Sequence, residues 1–321
     1  FGSLEIDQLH QSAHEELLGY ETELARYSTE QTLLYLLATR ESSYAGLQYR
    51  QPYARRVNDP FQPGLFEPTG PTLRLDGRNY FGASQLPFSL QDAASLVSLR
   101  SKDDAELDFM LAQLGKSVPE RERLIAGLRD HTDRDGDVRL NGYEVRSTRQ
   151  GGPINRYLVS PLQLKDVRGW ENAFTDTDWR WLFQEISIYV GSRWNVNSMT
   201  PTGMRMIGLS RSNIDDIINW RETNYIGNVE QLATMTGEVA RIDPVMLAFI
   251  PSKYFRLGLE DRTSTAWVGI TMTPDSRDHP WVIDYRIRVT TDKTENGKTK
   301  NDNRQPTEKD FRWSSIFTNE A

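Results

Sequence analysis

The 321-residue chain has no cysteine. That removes thiol nucleophiles, disulfides and thiolate zinc sites together. It leaves the compartment open, since an exported protein need not carry disulfides. Histidine is scarce: His10, His14, His131 and His279. His10 and His14 have a spacing that can grip a metal, but no HExxH pattern accompanies them, and they read as surface residues of a charged helix. A basic surplus is also missing, with net charge −7. A non-specific nucleic-acid binder carries a basic face that displaces phosphate counterions. No apolar run approaches the ~20 residues that cross a bilayer, and no export signal is visible. Phe1-Gly2-Ser3 reads as the start of a processed or truncated product. There is no G-x-S-x-G elbow and no convincing nucleophile–base pair. Gly297-Lys298-Thr299 looks like the end of a phosphate loop, but Asp292 stands where its first glycine belongs. A non-catalytic role is expected.

What the chain does have is aromatic weight: 8 Trp, 13 Tyr and 12 Phe, enough to bury a sizeable core. Its first forty-odd residues lack proline. Leu9, Ala13, Leu17, Tyr20, Leu24 and Tyr27 recur three and four apart, which marks one face of a helix. The pattern runs on to Leu34 and Ala38 and predicts a helix about 55 Å long, too long for one small domain to cover. Part of this stripe is expected to pack on its own domain and part on a neighbour. Prolines then punctuate residues 50–85 into loop and brief strands. A strand is expected near Leu86–Leu90, ending at Gln91-Asp92. Residues 93–242 are helical in pattern, with polar loops at 130–156. Tyr254–Leu259, Thr265–Met272 and Trp281–Val289 alternate with period two and predict an antiparallel meander, and Phe311–Phe317 could add a last strand. The expected class is α+β: residues 1–92 and 243–321 form a discontinuous core, and 93–242 an inserted helical domain.

Two segments could carry chemistry. Asp130, Asp133, Asp135 and Asp137, followed by Glu144, place carboxylates in a glycine-containing loop that can converge oxygens on a hard cation such as Ca²⁺. The alternative is a solvated acidic turn neutralised by Arg129, Arg134 and Arg139. The ion would be structural. Residues 195–222 read as turn, helix, hairpin at Gly208 and second helix, resembling the helix-hairpin-helix that offers backbone N–H groups to DNA phosphate. Ser210 stands where the DNA-binding version has a second glycine, and Asp215, Asp216 and Glu222 would repel phosphate, so a packing module is the better reading and no nucleic-acid partner is expected.

Taken in order, five segments resemble the K-type minor pseudopilin of bacterial type II secretion systems. They are Phe88–Leu99; Asp130 through Asp133 and Asp135 to Gly142-Tyr143-Glu144; Pro153-Ile154-Asn155-Arg156 through Leu164 to Val167-Arg168-Gly169-Trp170; Asn195-Val196-Asn197-Ser198; and Ile217–Arg221. His131, Ser95, Arg100 and Gln163 replace the family's usual Trp, Gly, Asn and Glu. The resemblance implies a pilin-like core, a long N-terminal helix on an antiparallel sheet, with a large α-helical insertion. It also implies a periplasmic part of a single-pass inner-membrane protein, anchored by an N-terminal helix absent from this chain. The implied partners are I-type and J-type minor pseudopilins, with the H-type as a further candidate, and secreted exoprotein cargo, and the first turns of a pilin helix packing on sibling helices make Leu9, Ala13, Leu17, Tyr20 and Leu24 the expected partner-binding residues. The implied task is starting pseudopilus assembly from its tip. A tip subunit of a related type IV pilus is the neighbouring alternative, and a helix-hairpin-helix nucleic-acid binder the distant one.

Overall fold

The computed structural model describes residues 2–49, 66–134, 137–142, 154–191, 193–237, 243–261 and 264–290. Helix α1 runs Gly2–Thr39 without interruption. Proline is absent from this stretch, and Gly19 meets nothing within 4 Å that its missing side chain would serve. Two small ladders follow, Ser42–Ser43 with Gly46–Gln48 and Gly46–Gln48 with Thr72–Leu73. Gly46 is required at this turn: its φ is +125°, and a β-carbon there would collide with the Leu73 carbonyl.

The main sheet has five strands: β1 (Asp76–Phe81), β2 (Pro87–Asp92), β3 (Tyr254–Glu260), β4 (Ser264–Met272) and β5 (Trp281–Thr290). Their order in space is their order in sequence, and every pairing is antiparallel. The expected meander is therefore present. What interrupts it is the link from β2 to β3. These strands are direct neighbours, Asp92 opposite Phe255, yet residues 93–253 lie between them. A long excursion stands where a hairpin turn would suffice.

That excursion holds the helical block: α2 (Ala105–Gln113), α3 (Val118–Thr132), α4 (Asp176–Glu185), α5 (Pro201–Met206), α6 (Arg211–Trp220) and α7 (Val229–Thr236). Starts and stops follow local chemistry. Ser117 with Glu120, and Thr175 with Asp178, close capping boxes at α3 and α4. Gly237, at φ +65°, ends α7 in the left-handed conformation. Trp170, fully buried, sits among Leu107, Leu128, Leu164 and Leu182 and donates its indole N–H to the Leu124 carbonyl at 2.8 Å. A second core joins Val196, Met204, Ile214, Ile217, Leu232 and Leu247.

The sheet is covered on both faces because its strands alternate. Phe88, Leu90, Leu257, Leu259 and Ile270 pack with Leu33, Leu34 and Leu37 of α1. The opposite face of β2 and β3 carries Ser89, Gln91, Arg256 and Gly258, and it meets the helical block. A bulge in β5 sets Ile283 opposite Ile270 and Tyr285 opposite Gly269, with Asp284 as the extra residue. Past the bulge Tyr285, Ile287 and Val289 join the helical block's core, while Arg286 and Arg288 reach α1.

Buried polar groups fasten the block to the sheet. Asp92, wholly buried, accepts from the Ser252 hydroxyl at 2.6 Å, the Ser252 N–H at 3.0 Å, Ala94 N–H at 3.2 Å and Asn195 Nδ2 at 3.3 Å. Burial raises its pKa against the pull of these donors. Arg256 donates from β3 to the carbonyls of Phe183, Gln184 and Ile186 at the end of α4. It thereby satisfies carbonyls a helix C-terminus leaves open, while burial depresses its own pKa. No helix among the described residues is long and apolar enough to cross a membrane.

Candidate partner interface and ion loop

Helix α1 has two faces that never coincide. Its sheet-facing side is buried at Ala25, Arg26, Thr29, Glu30, Leu33, Leu36 and Leu37. Each polar residue of that set makes at least one hydrogen bond. Arg26 donates to Asp261 at 2.5 Å and Ser264 at 2.9 Å, the Thr29 hydroxyl accepts from Ala83 N–H at 3.0 Å, and Glu30 accepts from Arg286 at 2.5 Å. The apolar stripe expected from the sequence lies roughly 150° around the helix from this side, counting ~100° per residue. Leu9 is 70% exposed, Leu17 54%, Tyr20 75% and Leu24 68%, and Ala13 is exposed as well. Ile6, Tyr27 and Tyr35 extend the same stripe and are also exposed. Of the residues expected to continue it, Leu34 turns inward to the sheet and Ala38 is half-buried.

Residues 6–24 project about 28 Å at 1.5 Å per residue, with none of their described side chains buried. On the side that would continue the sheet-facing surface stand Gln8, Gln11, Ser12, Glu15, Gly19 and Thr22, with Leu18 as the apolar exception. The outward side stays apolar throughout. The projecting half has lost the side chains that serve this chain's own sheet and kept those that serve nothing within it. His10 and His14 lie on this exposed half.

In the acidic loop the structure places Asp130 inside the last turn of α3, fully buried, and Asp133 at the C-cap. Both grip one guanidinium. Arg139 Nη1 donates to Asp130 Oδ1 at 2.7 Å and also to Asp133 Oδ2, and the Arg139 N–H reaches Asp130 Oδ2 at 3.2 Å. The Asp130 hydrogen bond leads the causes that raise the Arg139 pKa. The chain passes close enough that a β-carbon at Gly142 would collide with the Asp130 carboxylate. Two carboxylates thus converge on a single positive centre, and their hard oxygens are the donors Ca²⁺ takes. Asp137 is exposed. Asp135 and Glu144 lie outside the described residues, and among those described no group of three His, Asp or Glu is placed to hold a metal ion. Of the arginines expected to neutralise the turn, Arg139 does so, whereas Arg129 pairs with Asp104 at 2.6 Å.

The segment 195–222 forms the expected turn, helix, hairpin and helix. Gly208 takes φ +90° at the hairpin. The Ser210 hydroxyl accepts from Asn213 N–H at 3.2 Å, so the start of α6 is capped from within the chain. Asn195, Asn197 and Ser198 are buried. Asn197 exchanges hydrogen bonds with the Ile226 backbone in both directions, at 2.8 Å each. Arg221 donates to the carbonyls of Val196 and Met199 at 3.1 and 3.0 Å, and burial brings its pKa down to about 10. The buried side of the segment serves packing within the chain, while Gly208, Ser210, Arg211 and Ser212 at the hairpin are exposed.

No protein-family model and no curated protein matches the sequence. Among solved structures, the chain is similar to a chain of the GspK–GspI–GspJ complex of the type 2 secretion system from enterotoxigenic Escherichia coli. The TM-score is 0.51 at 14% sequence identity, covering 89% of this chain and 100% of that chain. The fold is pseudopilin-like. At this identity the likeness is one of architecture: a long helix against an antiparallel sheet, with a helical block inserted. The pseudopilin-like fold also gives meaning to residues that the sequence did not single out as a group. Asp92 and Arg256 bind the inserted block to the sheet, and Arg221 ties the end of α6 to the 196–199 turn within the block. The available signal was faint: a lone acid closing an apolar strand and an arginine inside one.

Proposed function

We propose that this protein is a non-enzymatic minor pseudopilin of the K type, acting at the tip of a type II secretion pseudopilus to help start its assembly and so support export of folded proteins across the outer membrane. On this reading it is the periplasmic part of a single-pass inner-membrane protein. Its partners are I-type and J-type minor pseudopilins, with the H-type as a further candidate, and its downstream cargo is a secreted exoprotein. The observation that carries the reading is the outward apolar stripe of α1, Leu9, Ala13, Leu17, Tyr20 and Leu24, held clear of this chain's own sheet in a pseudopilin-like fold. Large exposed apolar stripes on otherwise well-packed proteins mark contact surfaces. The test is copurification of the tagged chain with I-type and J-type subunits. The native chain is expected to retain both and Leu17→Glu to lose both while melting at the native temperature. Failure of the native chain to retain either subunit rejects the assignment.

A structural Ca²⁺ ion in the 130–144 loop belongs to the same proposal. Asp130 and Asp133 already share a cation, and Asp135, Asp137 and Glu144 are the further acids in reach by sequence. Ca²⁺ that binds the folded state alone stabilises it by about 2.7 kcal/mol at a hundredfold excess over Kd. The melting temperature is expected to fall on adding EGTA, and Asp133→Ala/Asp135→Ala is expected to abolish that response. A melt indifferent to chelation shows that Arg139 alone neutralises the turn.

A further inference from the structure

We infer that the outward face of α1 is a coiled-coil seam whose occupant is a helix with lysine or arginine on both flanks of its own apolar stripe. This rests on the proposed function, which gives α1 helical partners, and adds the chemistry that selects them.

The first observation is the repeat. Ile6, Ala13, Tyr20 and Tyr27 recur every seven residues, and Leu17 and Leu24 fall between them at the complementary position, with His10 one heptad before. A strict seven-residue spacing holds an apolar seam in line only when two helices supercoil. Up to Thr29 the sheet takes Ala25, Arg26 and Thr29, positions a coiled coil leaves on its outside, and from Glu30 onward it also takes Glu30, Leu34 and Leu37, so the seam left open runs from Ile6 to Tyr27. The helix can therefore serve its sheet and a partner helix at once.

The second observation is charge. Asp7 and Glu21 flank the seam on one side, Glu16, Glu23 and Glu30 on the other. No lysine or arginine occurs before Arg26. Flanking positions of this kind form the interhelical ion pairs that decide which helices associate. The chain itself shows what they accept: Glu30 takes Arg286 at 2.5 Å and Glu23 takes Arg288 at 2.6 Å, both from β5. Below residue 23 that supply ends. Asp7, Glu16 and Glu21 are exposed and have no ion-pair partner among the described residues. A partner that continues the series offers cations there. A second copy of this chain would instead bring acids against acids, which disfavours self-pairing.

The test uses the full chain and two synthetic helical peptides of about three heptads, alike in their leucine and isoleucine seam. One carries lysine at every flanking position and the other glutamate. At low salt the lysine peptide is expected to bind at least about tenfold more tightly, and the gap to shrink as salt is added. Glu16→Lys/Glu21→Lys, both at exposed sites, is expected to leave the melt unchanged and to reverse the preference. Equal affinity for the two peptides, binding of neither, or an unreversed preference in the double variant overturns the inference. So does a dimer of the native chain that Leu17→Glu dissolves, since a second copy would then be the occupant. Copurification with I-type and J-type subunits that persists while the peptides bind equally rejects the charge rule and leaves the proposed function intact. Peptide discrimination without copurification does the reverse.

Discussion

Residues 25–39 and residues 6–24 belong to one continuous helix, but the first set is held by the sheet, whereas the second meets it, among the described residues, through the exposed Glu23–Arg288 ion pair at its end. In the packed half the apolar residues Leu33, Leu34, Leu36 and Leu37 face inward, and tertiary contact supplies the stability that isolated helices lack. In the projecting half the apolar residues face outward and the inward side is polar. The difference teaches that a strong stripe in sequence marks a surface to be covered without saying by what. Here the clearest periodicity belongs to the exposed side, and the core-facing side is the less regular one.

Substitutions should separate the halves sharply. The largest effect is expected at Leu33, which has no exposed surface. Leu33→Ala should cost about 3 kcal/mol in chemical denaturation, with partner affinity unchanged in the fraction that remains folded. Equal loss of stability from Leu24→Ala would break the comparison. Next come the arginines that tie β5 to α1. Arg286→Ala leaves the largely buried Glu30 carboxylate without its partner and should cost about 1 kcal/mol. Arg288→Ala, whose pair with Glu23 is half-exposed on both sides, should stay within about 0.5 kcal/mol. The smallest change in stability is expected from Leu17→Glu, also within about 0.5 kcal/mol, although it should remove partner binding altogether. A melting temperature that falls as far as that of Leu33→Ala would place Leu17 in a core.

Much of the architecture was legible because it rests on local periodicity. Four of the five strands, the return of the sheet after the helical block and the length of α1 follow from alternation at two and at three to four residues, whereas Asp76–Phe81 lies in a stretch read only as loop with brief strands. The side of α1 that meets the sheet was not legible. Ala25, Arg26, Thr29 and Glu30 include two charged residues, and their burial depends on Asp261, Ser264 and Arg286, more than two hundred residues away. The acidic loop was read as one row of carboxylates. In the structure Asp130 closes a helix inside the protein, while Asp137 stays in solvent, a division that spacing along the chain does not carry. Arg139 was counted among several neutralising arginines, and only its approach to both Asp130 and Asp133 distinguishes it from Arg129. Asp92 could not be found from its neighbours in sequence, because two of the groups it holds, Asn195 and Ser252, come from the interior and the far end of the insertion.

The pairing of β2 with β3 has a consequence for how the chain folds. Asp92 and Phe255 must meet across residues 93–253 before the centre of the sheet can form. Closing so long a loop while it is unstructured costs about 4 kcal/mol more than closing a two-residue turn. A helical block that has already collapsed brings its two ends together beforehand, with Asp92 and Ser252 in hydrogen-bonding reach. Prior collapse of the block is therefore expected to lower the cost of forming the central strand pair, on which the apolar face that Leu33 and Leu37 cover depends.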